Sequence, residues 1–328
     1  MPLLESNYKG PPFYYLNGHL ETILPSMFRK VKEVHYEREQ IETPDDDFLN
    51  IDRLRQNSKR LLVISHGLEG GADRHYAKGL AKLFYQNGWD VAAWNNRSCN
   101  GEINRQKILY HHAASYDLRS VIDHIVAGDH YEEIALVGIS MGGGQTLRYL
   151  GEEKEHGVTD LIKKAVVISA PVSLIESAKT LNLRENKVYE QRFLKKLKAK
   201  IRAKAAQFPD IDIEGLDEMN TLQEFDNKYS GPLHGFKDAK AFYEFCDPFP
   251  FLEKITREVL ILNALNDPLL IGNCFPYDLA ANSKNIFLET PQRGGHVGFA
   301  RFGKEFTYAE QRTLVFMNAY KVLDSATC

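Results

Sequence analysis

No apolar run in this sequence approaches the roughly 18 residues needed to cross a bilayer. The longest, such as residues 165–172 in KKAVVISAPV, are only strand-sized. The amino-terminal stretch MPLLESNYKGPPFYYLNGH carries a glutamate, prolines and polar residues. A secretory signal needs a basic start and then an unbroken apolar run. No export signal is therefore expected, and the chain reads as soluble and cytoplasmic. Cysteine is scarce: Cys99, Cys246, Cys274 and Cys328 stand apart, without the CxxC spacing of a zinc or redox site. Reduced cytosolic thiols fit that pattern, since disulfide scaffolds are far smaller chains. An excess of positive charge is also missing. With 41 Lys and Arg against 44 Asp and Glu and a net charge of −3, the strongly basic surface that marks a nucleic-acid binder is not expected. Neither GxxxxGK[ST] nor GxGxxG occurs, so no nucleotide cofactor is expected. Nor is a metal: the adjacent His111 and His112 point in different directions, without a carboxylate or cysteine at ligand spacing. A structural or rim role is expected for that pair.

What the chain does have is apolar substance. At 328 residues and 43% hydrophobic, it is long enough to bury a large core. Runs rich in aliphatic and β-branched residues lie near 60–67, 89–96, 132–140, 163–171, 258–267 and 285–290. Near-continuous apolar strands of this kind suit a parallel sheet covered on both faces. Helical periodicity separates them. Tyr76, Leu80, Leu83 and Phe84 share one face and are followed by Asn87 and Gly88, a helix stop; Leu118, Val121, Ile122, Ile125 and Val126 share another. This alternation predicts an α/β fold with a mostly parallel, doubly wound sheet. Two extended segments around Pro44, Asp45, Asp46 and Asp47 predict a hairpin that adds an antiparallel amino-terminal edge. From about 172 to 251 the pattern turns helical and polar, with ten Lys or Arg between Lys179 and Lys204. We expect one domain over 1–328, with residues 172–251 inserted as a cap over the site. The basic run is expected to be a solvated helix face rather than a surface for an anionic substrate or a membrane. Phe236, Phe242, Tyr243 and Phe245 are expected to anchor the cap rather than line an acyl channel.

The chemistry concentrates in Gly138-Ile139-Ser140-Met141-Gly142, a G-x-S-x-G pentapeptide directly after an apolar strand and before a helix. A serine in such a sharp turn thrusts its hydroxyl toward solvent, and the flanking glycines remove side chains that would clash. Ser140 is the expected nucleophile. A serine hydroxyl is weak without a base, so a carboxylate and then a histidine should follow it. Asp267 is expected to end the strand segment EVLILNALND, with Pro268 stopping the strand. His296 lies in the glycine-rich loop from Arg293 to Phe299. An oxyanion needs two backbone N–H donors. These are assigned to Met141, after the nucleophile, and Leu68, in the loop from Ser65 to Gly71, with His66 bracing that loop by a hydrogen bond.

Six segments together resemble the YheT-like group of α/β-hydrolases, which includes the embryogenesis-associated proteins of plants. They are Asn17 to Thr22, His66 to Gly70, Asn96 to Glu102, the Ser140 pentapeptide, Asn263 to Pro268, and Gly294 to Gly298. The resemblance implies an α/β-hydrolase fold, a carboxylic-ester hydrolase with Ser140, Asp267 and His296 as its triad, and a cap between the sixth and seventh strands of the fold. Two positions depart from the group. Ser98 stands where it usually has glycine, and Asn266 where it usually has a second aspartate. The expected reaction is acyl transfer through an acyl-enzyme on a small-molecule ester, without a cofactor. A thioesterase, amidase or lipase would use the same three residues. A non-catalytic binding protein of the same fold is disfavoured because all three are present.

Overall fold

The computed structural model describes residues 2–319, so Cys328, counted above among the reduced thiols, lies outside the described residues. Nine strands form one sheet: β1 (Leu3–Leu4), β2 (Glu37–Glu42), β3 (Phe48–Leu54), β4 (Arg60–Ser65), β5 (Asp90–Asn95), β6 (Glu133–Ile139), β7 (Ile162–Ile168), β8 (Glu258–Leu262) and β9 (Ile286–Glu289). Their order is β1-β9-β8-β7-β6-β4-β5-β3-β2. β2 with β3 and β3 with β5 are antiparallel; every other pairing is parallel. The expected hairpin edge is therefore present, with Asp46 at φ 60° in its turn. All six apolar runs form strands, and each strand ends before its run does, because the following residues turn into the loops of the site. Asp267 shows this as a correction. It does not end a strand but lies in a turn beyond Leu262, the last residue of β8. β1 was not foreseen: two leucines beside β9 are too short to carry an alternating pattern.

The helices before the excursion are α1 (Gly18–Phe28), α2 (His75–Gln86), α3 (Ser115–Gly128), α4 (Met141–Gly151) and the short α5 (Glu153–His156). Between β7 and β8 the chain leaves the sheet for α6 (Leu174–Leu181), α7 (Lys187–Gln207), α8 (Leu222–Phe225), α9 (Gly231–Leu233) and α10 (Ala239–Cys246), and it finishes with α11 (Tyr277–Asn282) and α12 (Tyr308–Asn318). Strand parity sorts the core. Leu61 and Val63 of β4 bury against Leu118, Val121 and Ile122 of α3 on one face. Their neighbours Leu62 and Ile64 bury with Leu80 and Phe84 of α2 and Phe316 and Met317 of α12 on the other. Successive residues point to opposite faces, so a strand covered by helices on both must be apolar throughout.

The excursion has a small core of its own, in which Leu194, Leu197 and Ile201 of α7 meet Ile211, Leu222 and Phe225. The basic face of α7 departs from expectation. Lys196, Lys200 and Lys204 recur every four residues and so share one side of the helix. That side faces the body rather than water: Lys196 Nζ donates to the Glu69 carbonyl at 2.7 Å and Lys200 Nζ to Glu69 Oε1 at 2.6 Å, while Lys204 reaches the carbonyls of Asn104 and Gln106. Lys195 and Arg202 remain exposed. Acceptors on loops distant in sequence decided which lysines were solvated.

A second polar anchor holds the hairpin edge. The Arg97 side chain, 1% exposed, pairs with Asp117 of α3 at 2.7 Å, Asp47 at 3.0 Å and Asp45 at 2.6 Å. Beside it Ser98 takes φ 60°, a conformation natural for glycine. Its Oγ both donates to Asn104 Oδ1 at 2.6 Å and accepts from Asn104 N at 3.0 Å, offsetting that strain. Removing one partner of a buried ionic cluster leaves uncompensated charge. Arg97→Met is therefore expected to lower unfolding free energy by about 3–5 kcal/mol in urea titration, with little rescue by Arg97→Lys, which lacks the bidentate fork.

Candidate active site

Ser140 follows β6 and caps α4 with φ 53° and ψ −120°. A non-glycine residue held there stores about 1–3 kcal/mol of backbone strain, so its surroundings must enforce the turn. Two glycines permit it. A Cβ on Gly138 would lie 2.4 Å from the Gly142 carbonyl oxygen, and one on Gly142 would lie 2.3 Å from that of Ser65. The first turn of α4 thus sits directly against the ends of β4 and β6, which only hydrogens at those two positions allow. Ser140 N donates to the Ile168 carbonyl at 2.9 Å, tying the turn to β7.

The three residues expected to act together are brought together. His296 Nε2 lies 2.9 Å from Ser140 Oγ, and His296 Nδ1 lies 2.8 Å from Asp267 Oδ2. A carboxylate only accepts, so Nδ1 carries the proton and Nε2 is left to accept from the serine hydroxyl. The Asp267 side chain is fully buried and that of His296 is 12% exposed. Asp267 Oδ1 accepts from Leu269 N at 2.9 Å, which aims Oδ2 at the imidazole.

What orients His296 is α1, a role sequence reasoning did not assign. Glu21 is 1% exposed. Its Oε2 accepts from Gly294 N at 2.6 Å and its Oε1 from Arg293 Nε at 2.9 Å. Thr22 Oγ1 accepts from His296 N at 2.8 Å. Asn266, the second departure, accepts from Gly295 N through Oδ1 at 3.0 Å, so an amide oxygen serves where only an acceptor is needed. The contacts are too close for side chains: a Cβ on Gly18 would lie 1.9 Å from the Asn266 carbonyl oxygen, and one on Gly298 would lie 2.1 Å from that of Glu21. The available signal was the segment Asn17 to Thr22, which the family resemblance already singled out.

Leu68 lies in the loop between β4 and α2, beside Ser140, and Met141 opens α4. A Cβ on Gly67 would come 3.1 Å from Ser140 Cβ, so this loop passes close to the serine. Buried His66 holds it. Its Nε2 accepts from Asn96 N at 3.0 Å, so Nδ1 bears the proton and donates to the Gly67 carbonyl at 2.7 Å. Burial pushes the imidazole down to about 4, keeping it neutral at ordinary pH. Burial also pushes His112 down to about 4. Among the described residues, no three His, Cys, Asp or Glu side chains converge as metal ligands.

Two cavities meet at the serine and share Leu68, Ser140, Phe193, Leu269 and His296. One lies beneath the excursion and is lined by Leu174, Leu181, Leu197 and Phe242. The other is lined by Ile23, Met27 and Val188 together with Arg74, Arg192 and Lys196. The four aromatics of the excursion divide. Phe242 and Tyr243 line the first cavity, whereas Phe236 and Phe245 line a separate recess that Ser140 does not reach.

Comparison with known proteins identifies the family. A family model described as serine aminopeptidase, S33 matches residues 56–226. The YheT protein of Escherichia coli K12 is 30% identical over 87% of this chain and 85% of its own. A monoacylglycerol lipase of Saccharomyces cerevisiae is 27% identical over 82% of this chain, which spans 60% of the lipase. Human phospholipase ABHD3 is 23% identical over 97% of this chain and 80% of its own. Among solved structures, the esterase Pf2001 of Pyrococcus furiosus superposes with a TM-score of 0.57 at 15% identity, covering 95% of this chain and 97% of that one; this likeness concerns the fold. Sheet, serine turn and family match together define an α/β-hydrolase of the serine esterase and lipase type. Within that superfamily, the chain belongs to the YheT-like hydrolases. No helix among the described residues is long and apolar enough to cross a membrane.

Two outcomes follow from the buried groups. His66 and His112 bind protons only on unfolding between their folded values near 4 and the ordinary value near 6.5. The unfolded state then holds more protons, so stability rises with pH across that window and falls as the medium is acidified. Urea titrations at pH 7, 5.5 and 4.5 should show a steady loss; a constant unfolding free energy would contradict the burial argument. Glu21→Ala should slow turnover of an activated ester by about 10- to 100-fold through misplacement of the His296 loop, read as a fall in kcat and in the labelling rate of Ser140 by a fluorophosphonate.

Proposed function

We propose that this protein hydrolyses carboxylic esters, with Ser140 as nucleophile, His296 as general base and then acid, and Asp267 as the group that orients the imidazole. The single observation carrying this reading is the pair of hydrogen bonds from Ser140 through His296 to Asp267, at 2.9 and 2.8 Å. Ser140 Oγ attacks the ester carbonyl as His296 Nε2 takes its proton; His296 then returns the proton to the leaving alcohol and activates a water against the acyl-enzyme. Asp267 stabilises the imidazolium formed at each step. The tetrahedral oxyanion is assigned to the backbone N–H groups of Leu68 and Met141, the latter at the positive end of α4.

The apolar cavity beneath α6 and α7 suits an acyl chain, and the second cavity suits the alcohol. Residues of about 172–251 act as a cap on a single hydrolase domain, since the acyl cavity takes much of its wall from them. Among esters, the lipase name of the yeast relative and this apolar wall favour acylglycerols. Cys99, Cys246 and Cys274 are free thiols, which supports residence in the cytoplasm.

Ser140→Ala should lower kcat for a p-nitrophenyl acyl ester by about 10⁴-fold or more while leaving the melting temperature within a few degrees. Turnover at the wild-type rate by that variant would remove Ser140 from the mechanism. A series of esters of increasing acyl length should favour chains long enough to fill the cavity, and matched thioesters and amides should be poorer substrates.

A further inference from the structure

The second cavity holds three cations that form no ion pair with a carboxylate among the described residues. Most of the buried or half-buried arginines pair with a carboxylate, as Arg29 does with Glu310 at 2.6 Å. At this cavity the half-buried Arg74 departs from that pattern, and the exposed Arg192 stands beside it. The Arg74 guanidinium meets no acceptor among the described residues, Arg192 Nη1 reaches only Ser26 Oγ at 3.2 Å, and Lys196 donates to a backbone carbonyl, that of Glu69. The acids nearby are engaged or turned away. The Glu69 carboxylate is taken by Lys200 and by Tyr110 at 2.6 and 2.7 Å, and Asp73 is exposed and not part of the lining.

Two further groups lie beside these cations. α2 begins at His75 without a side-chain cap, leaving amides at its amino terminus for an outside acceptor. His75 Nδ1 is buried without a partner, and its imidazole is neutral, pushed down to about 3 by burial first and then by Arg29, Arg74 and Arg192. Burial, and after it the neighbouring Arg74, also push the Arg192 value down. These cations repel one another, and a bound anion would relieve the repulsion. Ile23, Met27 and Val188 complete the wall, so the occupant has an uncharged part as well.

We propose that this cavity is the leaving-group subsite for an alcohol bearing a phosphate monoester, with Arg74, Arg192 and Lys196 holding the phosphate and His75 hydrogen-bonded to it. The substrate is then an acyl ester of a phosphorylated small polyol. Three cations and an added donor match a dianion with three free oxygens better than a single carboxylate. This proposal rests on the assignment of Ser140, because the cavity is placed on the alcohol side only if the serine takes the acyl group.

The test compares octanoylglycerol with octanoylglycerol 3-phosphate at low ionic strength, in the wild-type protein and in Arg74→Gln/Arg192→Gln. The wild type should prefer the phosphorylated ester about tenfold or more in kcat/KM, mainly through KM. That ratio should fall about tenfold in the double variant and in 0.5 M salt. A wild-type ratio near one, or a ratio unchanged in the variant, would overturn the subsite. Failure of both esters would instead remove the Ser140 reading. Calorimetry of glycerol 3-phosphate against Ser140→Ala then decides the subsite without catalysis: saturable binding lost with Arg74 and Arg192 supports it, and absent binding overturns it.

Discussion

The turn at Ser140 is the constraint on which the remaining structure depends. A serine at φ 53° is strained by an amount comparable to a sizeable fraction of a protein's net stability, so it persists only where packing over-determines it. Here β4, β6 and α4 converge so closely that Gly138 and Gly142 have no room for a methyl group. The buried sheet supplies the rigidity, since both of its faces are covered by helices and its central strands are apolar on each side. A less enclosed sheet would let the turn relax and withdraw the hydroxyl from the imidazole.

Around this rigid turn, the loops carrying the other groups are held by polar tethers rather than apolar packing. Glu21 accepts from the backbone and side chain of the His296 loop, His66 bridges Asn96 and Gly67, and Lys196 and Lys200 bind the loop beside Ser140 to α7. A loop cannot be buried by hydrophobic contact alone, because its backbone groups need partners. Side-chain hydrogen bonds satisfy those groups and set direction, which apolar contacts do not. The two lysines also join the excursion to the body, so α7, which walls the cavities, and the loop beside the serine share Glu69 as a common anchor.

Legibility in the sequence followed the range of the interaction involved. The parallel strands were readable because burial on both faces demands continuous apolar runs, and the hairpin because its turn residues are local. Strand ends were overread at 267 and 171, since apolar loop residues continue the composition of the strand that precedes them. β1 escaped notice because two leucines have no period. Phe242 and Phe236 look alike in sequence, yet only the first reaches the cavity at Ser140.

The chain by itself determined the sheet, the serine turn and the order of Ser140, Asp267 and His296, because each rests on local periodicity, on glycine's missing Cβ or on fixed motif spacing. Tertiary structure alone decided that Glu21 serves the histidine loop, that Lys196, Lys200 and Lys204 face inward, and that Arg74 and Arg192 stand unpaired beside the serine. Each of those outcomes depends on which charged group meets which across more than a hundred residues of chain or across separate elements. Helical spacing places a side chain on a face, but only packing determines what that face meets.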